Sequence, residues 1–147
     1  MVLPENTFLA TVRERGAYGT SAEAERAARV VLGLLGSHLV GGVRDDLAVR
    51  LPAPFDRVLL APARPVEPLP PERFARAAAV GIGGATERTV LWDVGAVVSA
   101  AADAAGTDLM ERVLFQLPPG YEVLFGRPDP VRPFGAAGGE PGGEPGP

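Results

Sequence analysis

Apolar residues recur along this chain at helical spacing, in stretches separated by glycine and proline. Phe8, Leu9 and Val12 fall on one face of a short helix, with Arg13, Glu14 and Arg15 on the other, the three-and-four periodicity of an amphipathic helix. Gly16, Tyr18 and Gly19 break it. Thr20-Ser21-Ala22-Glu23 has the form of a capping box, in which the Thr oxygen and the Glu carboxylate satisfy free N–H groups at a helix start. Ala24, Ala27, Ala28, Val31, Leu32 and Leu35 then trace one apolar face. Glu25 and Arg29 stand four apart on the outer side, an ion-pair spacing worth about 0.3 kcal/mol. Gly41-Gly42 punctuates the chain. A third helix follows, with Val43, Leu47 and Leu51 inward and Arg44, Asp45, Asp46 and Arg50 outward. Pro52 suits the first turn of a short fourth helix over 52–60, because its missing N–H would have no partner there.

The plan then repeats. Phe8, Leu51-Pro52, Phe55 and Leu59 correspond to Phe74, Leu117-Pro118, Tyr121 and Phe125, always 66 residues apart, and Thr20/Thr86 and Val31/Val97 keep the interval. Several landmarks in one register indicate an internal duplication. The sequence therefore divides into a first helical unit, residues 5–60, a Pro-rich connector, 61–70, a second unit, 71–126, and a tail, 127–147. The second unit is expected to have helices over 71–79, 86–104, 107–117 and 118–125, with a break at Gly81 and Gly83-Gly84. Its long helix carries no charge from Val94 to Ala102, and a helix apolar nearly all round is usually buried. A homodimer contact is the competing use of that surface. The tail repeats Gly-Gly-Glu-Pro and has almost no apolar content, so burial cannot offset its chain entropy and it is expected to be disordered. The expected fold is all-α: two similar units of about four helices packed as one compact bundle.

Composition removes most familiar chemistry. The 147 residues include no cysteine, no lysine and one histidine. Disulfides, thiolate metal sites and cysteine nucleophiles are excluded, as are Schiff bases and the phosphate-loop lysine, and a multi-histidine zinc site. The net charge of −4 and the scattering of arginines among acids argue against a polyanion binder. No secretory signal and no membrane span is evident, and the chain reads as cytoplasmic.

The pattern F-L-x-x-V-x-x-R, the capped E-x-E-R-A, the acidic D-D-L and the terminal L-P resemble the bacterial family catalogued as domain of unknown function 2267. Here the pieces are Phe8-Leu9, Val12, Arg15, Glu23-Ala24-Glu25-Arg26-Ala27, Asp45-Asp46-Leu47 and Leu51-Pro52. The second copy matches through Phe74, Glu111, Leu117-Pro118 and Tyr121–Phe125. The resemblance covers about residues 7–126. It implies a compact all-α protein of two similar helical units and no activity. Where the first long helix has Glu-Ala-Glu-Arg-Ala, the second has Val90-Leu91-Trp92-Asp93.

No residue is assigned a catalytic, cofactor-binding or metal-ligating role. His38 follows the long first helix, where a protonated imidazole would complement the helix C-terminus, and reads as structural or exposed. The Gly81–Thr86 stretch lacks a preceding strand and the Gly-Lys-Ser/Thr ending of a phosphate loop. Trp92 is either core or an interface anchor. The leading expectation is a non-catalytic helical module for protein interaction or structure, with an unknown protein partner or a second copy as its contact, through the second long helix. The alternative is a helix-turn-helix-like DNA binder using Arg44 and Arg50, disfavoured by Asp45 and Asp46 beside them. A carboxylate- or metal-dependent enzyme using Asp45, Asp46 and Glu111 ranks third.

Overall fold

A computed structural model of the chain describes residues 5–61, 68–83, 86 and 89–125. The tail expected to be disordered and the centre of the Pro-rich connector lie outside the described residues. Within them every regular element is helical: α1 (Glu5–Gly16), α2 (Ser21–His38), α3 (Gly41–Arg50), α4 (Phe55–Leu60), α5 (Pro71–Ile82), α6 (Thr89–Ala105), α7 (Thr107–Phe115) and α8 (Tyr121–Leu124). The chain is all-α, as its periodicity predicts. The starts of α1, α3 and α4 are followed by those of α5, α7 and α8 at the interval of 66 residues.

The local signals act as expected at the long helices. Thr20 accepts a hydrogen bond from the Glu23 N–H, and the Glu23 carboxylate accepts one from the Thr20 N–H, completing the capping box. Thr86 and Thr89 exchange the same kind of bonds, at 3.0 and 2.9 Å, so Thr86 holds the start of α6.

Several boundaries differ from expectation: α6 begins at Thr89 rather than Thr86, and α7 ends at Phe115 rather than Leu117. The fourth helix begins at Phe55, not Pro52: the Phe55 and Asp56 N–H groups bond to the Pro52 carbonyl, and the helix starts only after Pro54. A residue preceding proline is driven out of helical geometry, and Ala53 precedes Pro54. For the same reason Pro118 and Pro119 lie outside α8, which follows Gly120 in a left-handed conformation. The break predicted at Gly81 is absent, since α5 continues to Ile82 and turns at Gly83, where φ is +78°. Gly81 belongs to the helix because α2 crosses there. A Cβ at Gly81 would stand 2.8 Å from a Val30 methyl group.

One apolar core joins both sets of helices. The packing is reciprocal. α1 lies on α2 and also on α6, while α5 lies on α6 and also on α2. The long helices α2 and α6 meet each other, and so do α3 and α7. Phe8 stacks on Phe55 with ring centroids 5.2 Å apart, and their counterparts Phe74 and Tyr121 are 5.5 Å apart. The reciprocity fails most clearly at α4 and α8. α4 packs extensively on α2, so closely that Gly36 meets the Leu59 carbonyl. Its counterpart α8 has four residues and covers little of α6.

Candidate functional site

A groove of about 450 Å³ opens beside α8, lined by Leu91, Trp92, Gly95, Ala96 and Ser99 of α6, Val123 and Leu124 of α8, and Arg15 of α1. Trp92 is 71% exposed, Val123 67% and Leu91 50%. Gly95 has open space where a Cβ would be, so the groove floor is low beside the indole. Of the charge-free stretch, Val94, Ala96, Val97, Val98, Ala100 and Ala101 are buried by the same chain, and Gly95, Ser99 and Ala102 are half-buried. The exposed apolar residues of this helix, Leu91 and Trp92, precede the stretch.

The corresponding face of α2 is charged. Where α6 has Leu91, Trp92 and Gly95, α2 has Glu25, Arg26 and Arg29. Arg29 pairs with Glu25 at 2.9 Å, and Arg26 donates to the Ile82 carbonyl at the end of α5. One scaffold position therefore carries a solvated ion pair in the first half and an exposed apolar cluster in the second. A contiguous apolar patch rimmed by polar groups is the usual mark of an interaction surface, and tryptophan is over-represented among the anchors of such surfaces. The groove walls are braced by charge: Arg15 pairs with Asp103 at 2.5 Å, and the Tyr18 hydroxyl donates to the Asp93 carboxylate at 2.5 Å. Burial first, and then the bond to Asp93, push the Tyr18 hydroxyl well above the usual tyrosine range, which keeps it a donor.

The other sequence candidates are not brought together. Asp45, Asp46 and Glu111 are exposed. Asp46 pairs with Arg112 of α7 at 3.1 Å, and among the described residues no three His, Asp or Glu side chains group as metal ligands. Arg44, predicted to point outward, is half-buried and donates to the Leu59 and Leu60 carbonyls at the end of α4. Arg50 donates to the Ala105 carbonyl at the end of α6. Both side chains that a DNA contact would require are thus engaged with helix ends.

His38 is buried rather than exposed, and it is a clasp. Its Nε2 accepts from the Leu69 N–H at 3.2 Å, which leaves the proton on Nδ1 to donate to the Leu34 carbonyl at 2.9 Å. The ring packs edge-on to Phe74, and the Tyr121 hydroxyl donates to the Leu69 carbonyl at 2.6 Å. Both backbone polar groups of Leu69 are held as the connector enters α5. Sequence reasoning missed this role because Leu69 and Tyr121 stand 31 and 83 residues from His38; only the lone histidine among apolar neighbours hinted at it.

Among the described residues no helix is long and apolar enough to cross a membrane. A family model described as "Uncharacterized conserved protein (DUF2267)" matches residues 5–124, the span that contains all eight helices. No curated protein matches the chain.

Proposed function

The chain belongs to the DUF2267 family, and from that footing we propose that it is a non-catalytic protein-interaction module whose contact surface is the α6–α8 groove. The single observation that carries this reading is the exposed Trp92 beside Leu91 and Val123, at a position where the first half of the molecule carries Glu25, Arg26 and Arg29. An internal duplication explains how such a contrast arises, and the recurrence of helix starts at 66 residues and the reciprocal packing support it. Two copies keep the same buried residues while one outer face is free to change. The composition supports the non-catalytic part, since carboxylates, arginines and hydroxyls are what remains for chemistry, and among the described residues no three acids or His group as metal ligands.

Gly95→Arg tests the surface without disturbing the core, because the space above Gly95 is open. Affinity purification from the native host, with the unaltered chain and with Gly95→Arg side by side, is expected to yield a partner retained by the first and lost by the second. Sedimentation of both proteins distinguishes a foreign partner from a second copy. Identical recovered proteins and identical sedimentation for the two would sink the groove as the contact surface.

A further inference from the structure

The chain leaves the described helices at the groove itself. Val123 and Leu124 form the α8 wall, and after Phe125 the sequence runs Gly126-Arg127-Pro128-Asp129-Pro130-Val131-Arg132-Pro133-Phe134. A polyproline II helix has three residues per turn, so this segment sorts into three rows. Pro128, Val131 and Phe134 form one row and Arg127, Pro130 and Pro133 a second. Asp129 and Arg132 form the third. The first row is wholly apolar, the second is apolar after Arg127, and the third is charged. Val131 and Phe134 are the only large apolar residues after Phe125, and Pro130 and Pro133 have the P-x-x-P spacing of segments that dock against exposed aromatic side chains.

We propose that Arg127–Phe134 docks as an extended segment in the groove of its own chain, with the Val131/Phe134 row against Trp92, and thereby competes with outside partners for that surface. The inference deepens the proposed function and rests on its reading of the groove. Reach permits it. The nine residues from Phe125 to Phe134 span about 28 Å at polyproline rise, and the α6 part of the groove, Leu91 to Ser99, is about 12 Å long. Tethering supplies what a short contact lacks, because a segment joined at the rim has an effective concentration on the order of millimolar. The prolines also lower the ordering entropy of the bound form. The family match ends at residue 124, so the occupant lies outside the shared domain and the groove within it.

Trp92 is the only tryptophan of the chain, and its fluorescence reads the groove directly. The measurement compares the full-length protein with full-length Val131→Ser/Phe134→Ser, both changes lying beyond α8 in sequence, and with Gly95→Arg, which obstructs the floor. In both variants the emission is expected to shift to longer wavelength than in the unaltered chain. Acrylamide quenching is expected to be about twofold stronger, the indole being 71% exposed without cover and the tethered segment docked in most molecules. Far-ultraviolet circular dichroism confirms equal helix content. The shift should not depend on protein concentration; a dilution-dependent shift would mean that the segment docks on a second copy and would overturn docking within one chain. Equal emission and quenching in the unaltered protein and the tail variant would overturn docking altogether. That result leaves the partner experiment with Gly95→Arg intact. Conversely, a partner set indifferent to Gly95→Arg, with Trp92 still answering to the tail, would refute the proposed function alone.

Discussion

Arginine is the only basic residue of this chain besides His38, and four of the described arginines bond to backbone carbonyls. Arg13 donates to the Tyr18 and Gly19 carbonyls, Arg26 to Ile82, Arg44 to Leu59 and Leu60, and Arg50 to Ala105. The last carbonyls of a helix have no partner within it, and a guanidinium fork reaches two acceptors where an ammonium presents a point charge. The charged positions were readable in the sequence, but the elements they would cap were not, because each bond except that of Arg13 joins different helices. The hydroxyl of Tyr121 shows the same dependence on context. Burial, and then the charge of Glu72, push it up to about 12, against about 10 in an unfolded chain. The folded state therefore holds this proton more tightly than the unfolded state. The stability it contributes is whole below about pH 10 and is lost as pH rises towards 12. Urea midpoints measured across that alkaline range are expected to fall steeply for the unaltered protein. In Tyr121→Phe the fall should be shallower, from a starting stability about 1 kcal/mol lower because the bond to the Leu69 carbonyl is gone. An equally steep fall in Tyr121→Phe would contradict this.

Helix existence was legible from periodicity and caps, whereas helix ends were decided by neighbours. Thr20 and Thr86 announce their helices in the sequence, since a cap is a contact between residues three apart. Gly81 reads locally as a stop, yet the helix continues through it because Val30 of α2 occupies the space a side chain would need. Gly36 lies inside α2 for a similar reason: a Cβ there would stand 2.8 Å from the Leu59 carbonyl carbon of α4. Propensity alone favours Gly36→Ala by about 1 kcal/mol. The clash is with backbone, which cannot rotate away, so the expected outcome is destabilisation by about 1–3 kcal/mol. Gly95→Ala supplies the contrast, since nothing lies within 4 Å of the added atom, and it should stabilise by up to about 1 kcal/mol. Thermal unfolding of both variants reads the two signs. A stabilised Gly36→Ala would mean that α4 is not seated on α2 as described.

At the scale of the molecule, the two sets of four helices cannot be separated. α1 rests on α6 and α5 on α2, so each first helix leans on the other half's long helix. Gln116, at the end of α7, bonds both polar groups of the Val40 backbone, while Arg50 of α3 reaches the Ala105 carbonyl. A chain of residues 1–66 and one of residues 67–147, each made alone, are expected to melt without cooperativity in circular dichroism. Mixing them should restore a cooperative transition, because each exposes the core face that the other covers. A sharp transition in either half alone would show two independent domains instead. The sequence by itself determined the helical class, the order of the elements and the inward residues at the 66-residue interval, because amphipathic spacing and caps are written in near neighbours. It also determined that most familiar catalytic groups are missing. Only the tertiary structure decided which half covers which, that His38 clasps Leu69, and that Trp92 stands outside the core. Those outcomes depend on contacts between residues distant in the chain, which periodicity and caps do not record.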